Sequence, residues 1–182
     1  MKRLTSAIAA LLLGLAVLVS AGASTGAVAE PAATAARAQS ADDAHGFERF
    51  LHQYQAANSA FVNGDPSPWL SITAEEDPAS VFGGFGGLGD AGVAKVRQRY
   101  LLAASAFRPS GALVDFEYLV KDVRGKLAYT VAIERAHVLY AGQTERQQQV
   151  LRATMIFRFE EGAWKIVHRH ADTMIDLQLP PP

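Results

Sequence analysis

Near its C-terminal end the chain reads Trp164-Lys165-Ile166-Val167-His168-Arg169-His170-Ala171-Asp172, two histidines and a carboxylate at alternate positions behind an apolar start. Alternate residues of a β-strand share a face, which groups Trp164, Ile166, His168, His170 and Asp172. Same-face neighbours stand about 6 to 7 Å apart, so both imidazoles and the carboxylate would meet one small ligand if that face is concave. The competing arrangement leaves this end of the strand in water. Histidine titrates near neutral pH, which makes His168, or Asp172 beside it, the candidate general base. The spacing would also suit a metal ion, but the sequence offers no identifiable fourth ligand; no metal and no cofactor is expected.

The same parity argument supplies partners. Between residues 126 and 140, Ala128, Thr130, Ala132 and Glu134 share a face, small side chains that leave room around a carboxylate. Between 148 and 159, Arg152, Thr154 and Ile156 share a face. A guanidinium beside the imidazoles would suit an anionic or carbonyl-bearing ligand. Alternatively Arg152 pairs with Glu134, because buried charges find partners. With the aromatic residues placed to reach such a pocket, the expected ligand-binding set is Tyr54, Trp69, Tyr118, Glu134, Arg152, Trp164, His168 and His170.

Elements that must hold these groups follow from hydrophobic period. Phe47, Phe50, Leu51, Tyr54, Ala57, Asn58 and Phe61 recur at helical spacing, with Asn63-Gly64 ending the helix. Asp65-Pro66-Ser67-Pro68 breaks the backbone into turns before Trp69-Leu70 resume an apolar patch. A second helix is predicted over 91–107 on Val93, Val96, Tyr100, Ala103, Ala104 and Phe107, with Asp90 as its cap. Four strands follow, at 112–121, 126–140, 148–159 and 163–175, joined by turns at Arg124-Gly125, Ala141-Gly142 and Glu161-Gly162. Connections this short join antiparallel neighbours. Helices first and an antiparallel meander second give an α+β domain with the helices on one face of a curved antiparallel sheet.

Gly84, Gly86 and Gly89 form a literal G-x-G-x-x-G ahead of the second helix. A dinucleotide fingerprint follows a buried parallel strand, whereas Glu75-Glu76-Asp77-Pro78 leaves only Ser80-Val81-Phe82 as strand here. The glycines are expected to form a lip or tight turn beside the sheet instead.

The chain has 182 residues, a formal net charge of −1 and no cysteine. Mixed charge gives no basic face for nucleic acid or an anionic membrane surface, and disulfides, thiol nucleophiles and a lipoprotein cysteine are excluded. Lys2 and Arg3 precede an apolar run from Ile8 to Val19 and then small residues, with Ala27-Val28-Ala29 as an A-x-A cleavage site and Ala21-Gly22-Ala23 as another. The run is shorter than the ~20 residues of a spanning helix, so residues 1–29 are expected to be a signal peptide, leaving no membrane contact after cleavage and a secreted or periplasmic protein. Residues 30–45, rich in Ala, Pro, Thr, Gln and Ser, are expected to be a flexible tether, followed by one domain over 46–177 and a tail at 178–182.

The sequence resembles the SnoaL-like group of the nuclear transport factor two-like superfamily, which includes ketosteroid isomerases, polyketide cyclases and kinase association domains. The resemblance runs from about Phe47 to Asp176. It is carried by Gly64-Asp65 with Trp69, by Phe82-Gly83-Gly84, by Leu127-Ala128-Tyr129-Thr130, by Leu151-Arg152-Ala153-Thr154 and by Gly162 through Asp172. It implies a cystatin-like cone, a curved sheet wrapped around helices with one pocket, commonly paired into dimers through the sheet. The isomerase branch combines a carboxylate base with a tyrosine and a protonated carboxyl; Tyr54, Tyr118 and Asp172 are of those types, but no local motif ties them to those roles. Three functions are therefore open: a non-catalytic module holding a small apolar or carbonyl- or carboxylate-bearing molecule, an isomerase, cyclase or hydratase using His168 or Asp172 as base with Arg152 stabilising an enolate, and an oligomerisation module. A homodimer is expected through Leu151, Ala153, Met155, Phe157 and Phe159, taken as the outer apolar face.

Overall fold

The computed structural model describes residues 46–173; the expected signal peptide, the tether and the tail lie outside them. Helix α1 covers 46–61 and buries Phe47, Phe50, Leu51, Tyr54, Ala57 and Asn58, the stripe its 3.6-residue period dictates. Its exit turns at Gly64 (φ +89°), where an added Cβ would stand 3.2 Å from the Phe107 carbonyl oxygen. A left-handed backbone in so close a corner requires glycine. The short helix α2, Ser67–Ser71, follows; its entry is fixed by the Asp65 Oδ1, which accepts from the Ser67 N–H at 2.9 Å, and it buries Trp69.

Strand β1 (Ser80–Phe82) and the two-residue β2 (Asp90–Ala91) flank the glycine segment. Helix α3, Val93–Ser105, buries Val96, Tyr100 and Ala104. Its first N–H group is satisfied by Asp77 Oδ1, which accepts from Val93 at 2.8 Å. Asp90, the expected cap, instead accepts from Arg99 Nε at 2.6 Å. Strands β3 (Phe107–Arg108), β4 (Asp115–Arg124), β5 (Leu127–Tyr140), β6 (Gln147–Glu160) and β7 (Ala163–Thr173) complete the domain.

One seven-stranded sheet runs in the order β2-β1-β7-β6-β5-β3, with β4 also paired to β5. The four long strands form the expected antiparallel meander. The sheet as a whole is mixed, because β1 runs parallel to β7. The polypeptide between them is long enough to cross over, which the two- to six-residue links of the meander are not.

The inner face carries Ala128, Thr130, Ala132, Glu134, Ala136 and Val138 from β5 and Leu151, Ala153, Met155 and Phe157 from β6, all buried. Leu151, Ala153, Met155 and Phe157 are thus core residues covered by the chain's own helices, and Arg152, Thr154 and Ile156 face outward. The sequence expectation had these two sets reversed. Period two fixes which residues travel together but not which set is buried; the helix that covers the sheet decides that.

On β7 the period itself is interrupted. Phe157 pairs with Ile166 and Ile156 with His168, so Val167 has no counterpart on β6. This one-residue bulge moves every later side chain to the other face. Trp164 and Ile166 are buried as expected, but beyond Val167 the inward residues are Arg169 and Ala171.

Trp164, buried near the start of β7, packs edge-on to Phe47 at 5.1 Å and to Phe159 at 5.4 Å. Trp164→Ala is expected to lower unfolding stability by about 3 to 5 kcal/mol, as buried aromatic truncations do. Urea titration of the variant measures this, and a loss below about 1 kcal/mol would mean the aromatic cluster is not part of the cooperative core.

Candidate functional site

Between α1, α3 and the inner face of the sheet lies a cavity of about 290 Å³. Its walls are apolar: Phe61 and Val62 from α1, Ala103 from α3, then Phe107, Ala136 and Leu151, with Gly83, Gly84, Phe85 and Gly86 at one side. Phe85 leans on Phe107 and Tyr140, with ring centroids 5.7 and 6.3 Å away. The glycine segment is therefore part of the wall, as expected of a lip.

Into the floor project Glu134 and Arg169. Arg169 grips the carboxylate with both terminal nitrogens, Nη1 to Oε1 at 2.8 Å and Nη2 to Oε2 at 2.7 Å. Tyr54 donates to Glu134 Oε1 at 2.9 Å, and the guanidinium lies 5.5 Å from the Trp69 ring. Burial alone would push the Glu134 carboxyl up, but the Arg169 charge, the paired hydrogen bonds and the Tyr54 hydroxyl outweigh it and hold the group below its ordinary value. The same partnership, opposing burial, keeps Arg169 charged. Burial, and then the adjacent Glu134 charge, raise the Tyr54 hydroxyl well above its usual range.

Three further polar groups on the lining are buried and make no hydrogen bond to the protein: Asn58 Nδ2, Trp69 Nε1 and the Tyr100 hydroxyl. Asn58 lies near enough to Glu134, and Trp69 to Tyr100, to favour the charged forms of those groups slightly, but neither contact has hydrogen-bond geometry. Burial dominates at Tyr100 and pushes its hydroxyl up to about 12.

The expected site residues separate into three groups. Tyr54, Trp69 and Glu134 meet around the cavity floor. Trp164 belongs to the core, and Tyr118 sits off the cavity, stacked on Phe116 at 5.7 Å and accepting from Gln55 Nε2 at 3.3 Å. Arg152, His168, His170 and Asp172 are on the outer face. Arg152 does not pair with Glu134; it makes two hydrogen bonds to Asp172 at 3.1 and 2.7 Å, half exposed to water. His168 Nδ1 shares a hydrogen bond with Ser80 Oγ at 2.8 Å, and both imidazoles meet the Phe82 ring edge-on. Partial burial, and then the neighbouring His170, lower the His168 pKa. The bulge at Val167 is the physical reason: it turns the imidazoles and Asp172 away from the cavity, so neither candidate base reaches it. Sequence reasoning missed Arg169, which takes the interior place expected of Arg152, and it read Asn58 and Tyr100 as packing only. A lone cation flanked by histidines gave no sign of its facing; the one available signal was the count of residues in β7 against β6.

A family model for the SnoaL-like domain matches residues 94–176. No curated protein matches the chain in sequence. Among solved structures, a candidate dehydratase of the NTF2-like family from Streptomyces avermitilis is 19% identical, with 73% of this chain and 99% of that one covered at a TM-score of 0.58. An NTF2-like superfamily protein from Salmonella enterica is 14% identical over 79% and 96% of the two chains, also at 0.58. A candidate scytalone dehydratase from Novosphingobium aromaticivorans is 16% identical over 79% and 93%, at 0.57. At these identities the structures share a fold.

Removing one partner from a buried ion pair leaves the other charge uncompensated. Glu134→Gln is expected to cost about 3 to 5 kcal/mol, whereas Glu134→Leu combined with Arg169→Met should return most of it. Denaturant midpoints of the wild type and the two variants check this, and a double variant as unstable as the single one would contradict it. Because the folded-state pKa of Glu134 is depressed, its contribution is complete above the unfolded value of 4.5 and is lost as pH falls through the folded value. Stability measured from pH 7 downward should therefore decline below about 4.5 more steeply in the wild type than in the double variant. Residues 94–176 thus match the model of the SnoaL-like domain, on a fold shared with solved structures of the NTF2-like family.

Proposed function

We propose that this chain is an exported binding protein that holds one small, largely apolar molecule in its cavity without transforming it. The observation that carries the proposal is that every ionic group on the described lining is already committed. Glu134 is held by Arg169, Arg99 by Asp90 and Arg135 by Glu117. A general base needs a lone pair within reach of the substrate and a pKa near the working pH. Glu134 has a depressed pKa and both oxygens occupied. A roomy apolar cavity with a neutralised floor suits retention better than proton transfer. Export rests on the basic start, apolar run and A-x-A pattern of residues 1–29.

Association is the second part of the reading. The outer face aligns Tyr129 with Ile156 and His168, and Val131 with Thr154, His170 and Phe82. Tyr129, Ile156 and Phe82 are exposed. This surface, rather than Leu151 through Phe159, is the one we assign to an isologous homodimer.

Native mass spectrometry of protein recovered from the culture medium or periplasm tests the binding reading. The expected spectrum shows one small molecule per chain, released unchanged on denaturation. Deuterium uptake from heavy water at the α carbon of a bound carbonyl compound would instead establish turnover and overturn the non-catalytic reading. For association, the wild type should sediment as a dimer at micromolar concentration and Ile156→Glu as a monomer; a monomeric wild type would remove the outer face as an interface.

A further inference from the structure

The cavity's polar groups are unequal in a way that specifies the ligand's head group. Glu134 and Arg169 cancel one another, so the floor carries no net charge to attract an ion. Around them, Asn58 Nδ2, Trp69 Nε1 and the Tyr100 hydroxyl line the cavity, are each more than nine-tenths buried, and make no hydrogen bond to the protein. All three can donate; Asn58 Nδ2 and Trp69 Nε1 can only donate, whereas the Tyr100 hydroxyl can also accept. Buried donors normally find acceptors, and a group left without one loses the hydrogen bonds it had in water. Three such groups on the lining of one cavity, among apolar side chains, are the arrangement that an acceptor group on an otherwise apolar molecule would complete.

We propose that this cluster is a subsite for an uncharged carbonyl oxygen, with Tyr100 as its principal donor and Trp69 and Asn58 beside it. A carboxylate is disfavoured, because its charge would be buried next to the Glu134 carboxylate with no free cation in reach on the described lining. The inference deepens the binding reading and rests on it, and it assigns Tyr100 a role distinct from packing α3 onto the core.

Matched probes of one carbon skeleton separate the two claims. Isothermal titration or ligand-observed resonance would compare the ketone 1-tetralone, the hydrocarbon tetralin and the carboxylate 1,2,3,4-tetrahydro-1-naphthoate. The ketone should bind at least about tenfold more tightly than the hydrocarbon, and the carboxylate most weakly. Tyr100→Phe should lower ketone affinity by about tenfold while leaving tetralin affinity unchanged. Its melting temperature should be unchanged or higher, because the hydroxyl it removes has no protein partner. Equal binding of ketone and hydrocarbon, or tightest binding of the carboxylate, would overturn the carbonyl subsite while leaving the apolar cavity a binding site. Failure of all three probes to bind at millimolar concentration would overturn both claims. The wild-type ratio of ketone to hydrocarbon decides the matter even if Tyr100→Phe does not fold.

Discussion

Two opposite charges buried side by side constrain this domain more than any other contact. Glu134 stands on β5 and Arg169 on β7, with β6 between them. To meet, the guanidinium must cross the middle strand, where it passes Met155 with Nη1 3.4 Å from the sulfur. Small neighbours make the crossing feasible: Ala132, Ala153 and Ala171 occupy successive paired positions on the same inner face. Three strand registers must therefore be correct together. A slip of one residue in any of them would bury an unpaired charge, which is far costlier than the pair itself. The pair contributes little net stability against an apolar replacement, but it discriminates strongly against misaligned sheets.

Much of the architecture was legible in the sequence because it depends on local physics. The stripe on α1, the turn glycines at Gly125, Gly142 and Gly162, and the four long strands each follow from period and turn chemistry within a short window. What was not legible depends on contacts far apart in the chain. Which face of β6 is buried is decided by α1, roughly ninety positions earlier in the sequence. Which residues of β7 follow it inward is decided by an unmatched Val167 that changes no propensity and leaves no compositional trace. Three of the eight expected binding residues, Tyr54, Trp69 and Glu134, came together, Tyr54 and Glu134 because helix and strand parity before the bulge were read correctly. Arg152, His168 and His170, with the candidate base Asp172, were placed by a parity that the bulge, or the orientation of β6, reversed.

The bulge also distributes chemistry between two surfaces. Inside, it supplies a cation that is neutralised at once; outside, it collects imidazoles, a surface ion pair and the Phe82 ring along the parallel β1–β7 seam. An interior without unpaired charge and an exterior with titratable groups give the two faces different sensitivities. Pocket contents should be indifferent to pH near neutrality, while anything resting on the outer sheet must accommodate His168, whose imidazole the surroundings favour in its neutral form.

The glycines at the cavity wall set a different kind of limit. At Gly84 a single added methyl would stand 3.2 Å from Leu151 Cδ2, and Gly83, with nothing that near, leaves its stretch of the rim bare. Side-chain bulk has been left out where the rim faces Leu151, and the nearest large group is Phe85, held by Phe107 and Tyr140 rather than by the glycines themselves. This part of the wall is consequently main chain and one anchored ring. A change of one atom at Gly84 would therefore press on Leu151 and narrow the cavity from its main-chain side, altering its shape while leaving Glu134, Arg169 and the buried donors untouched.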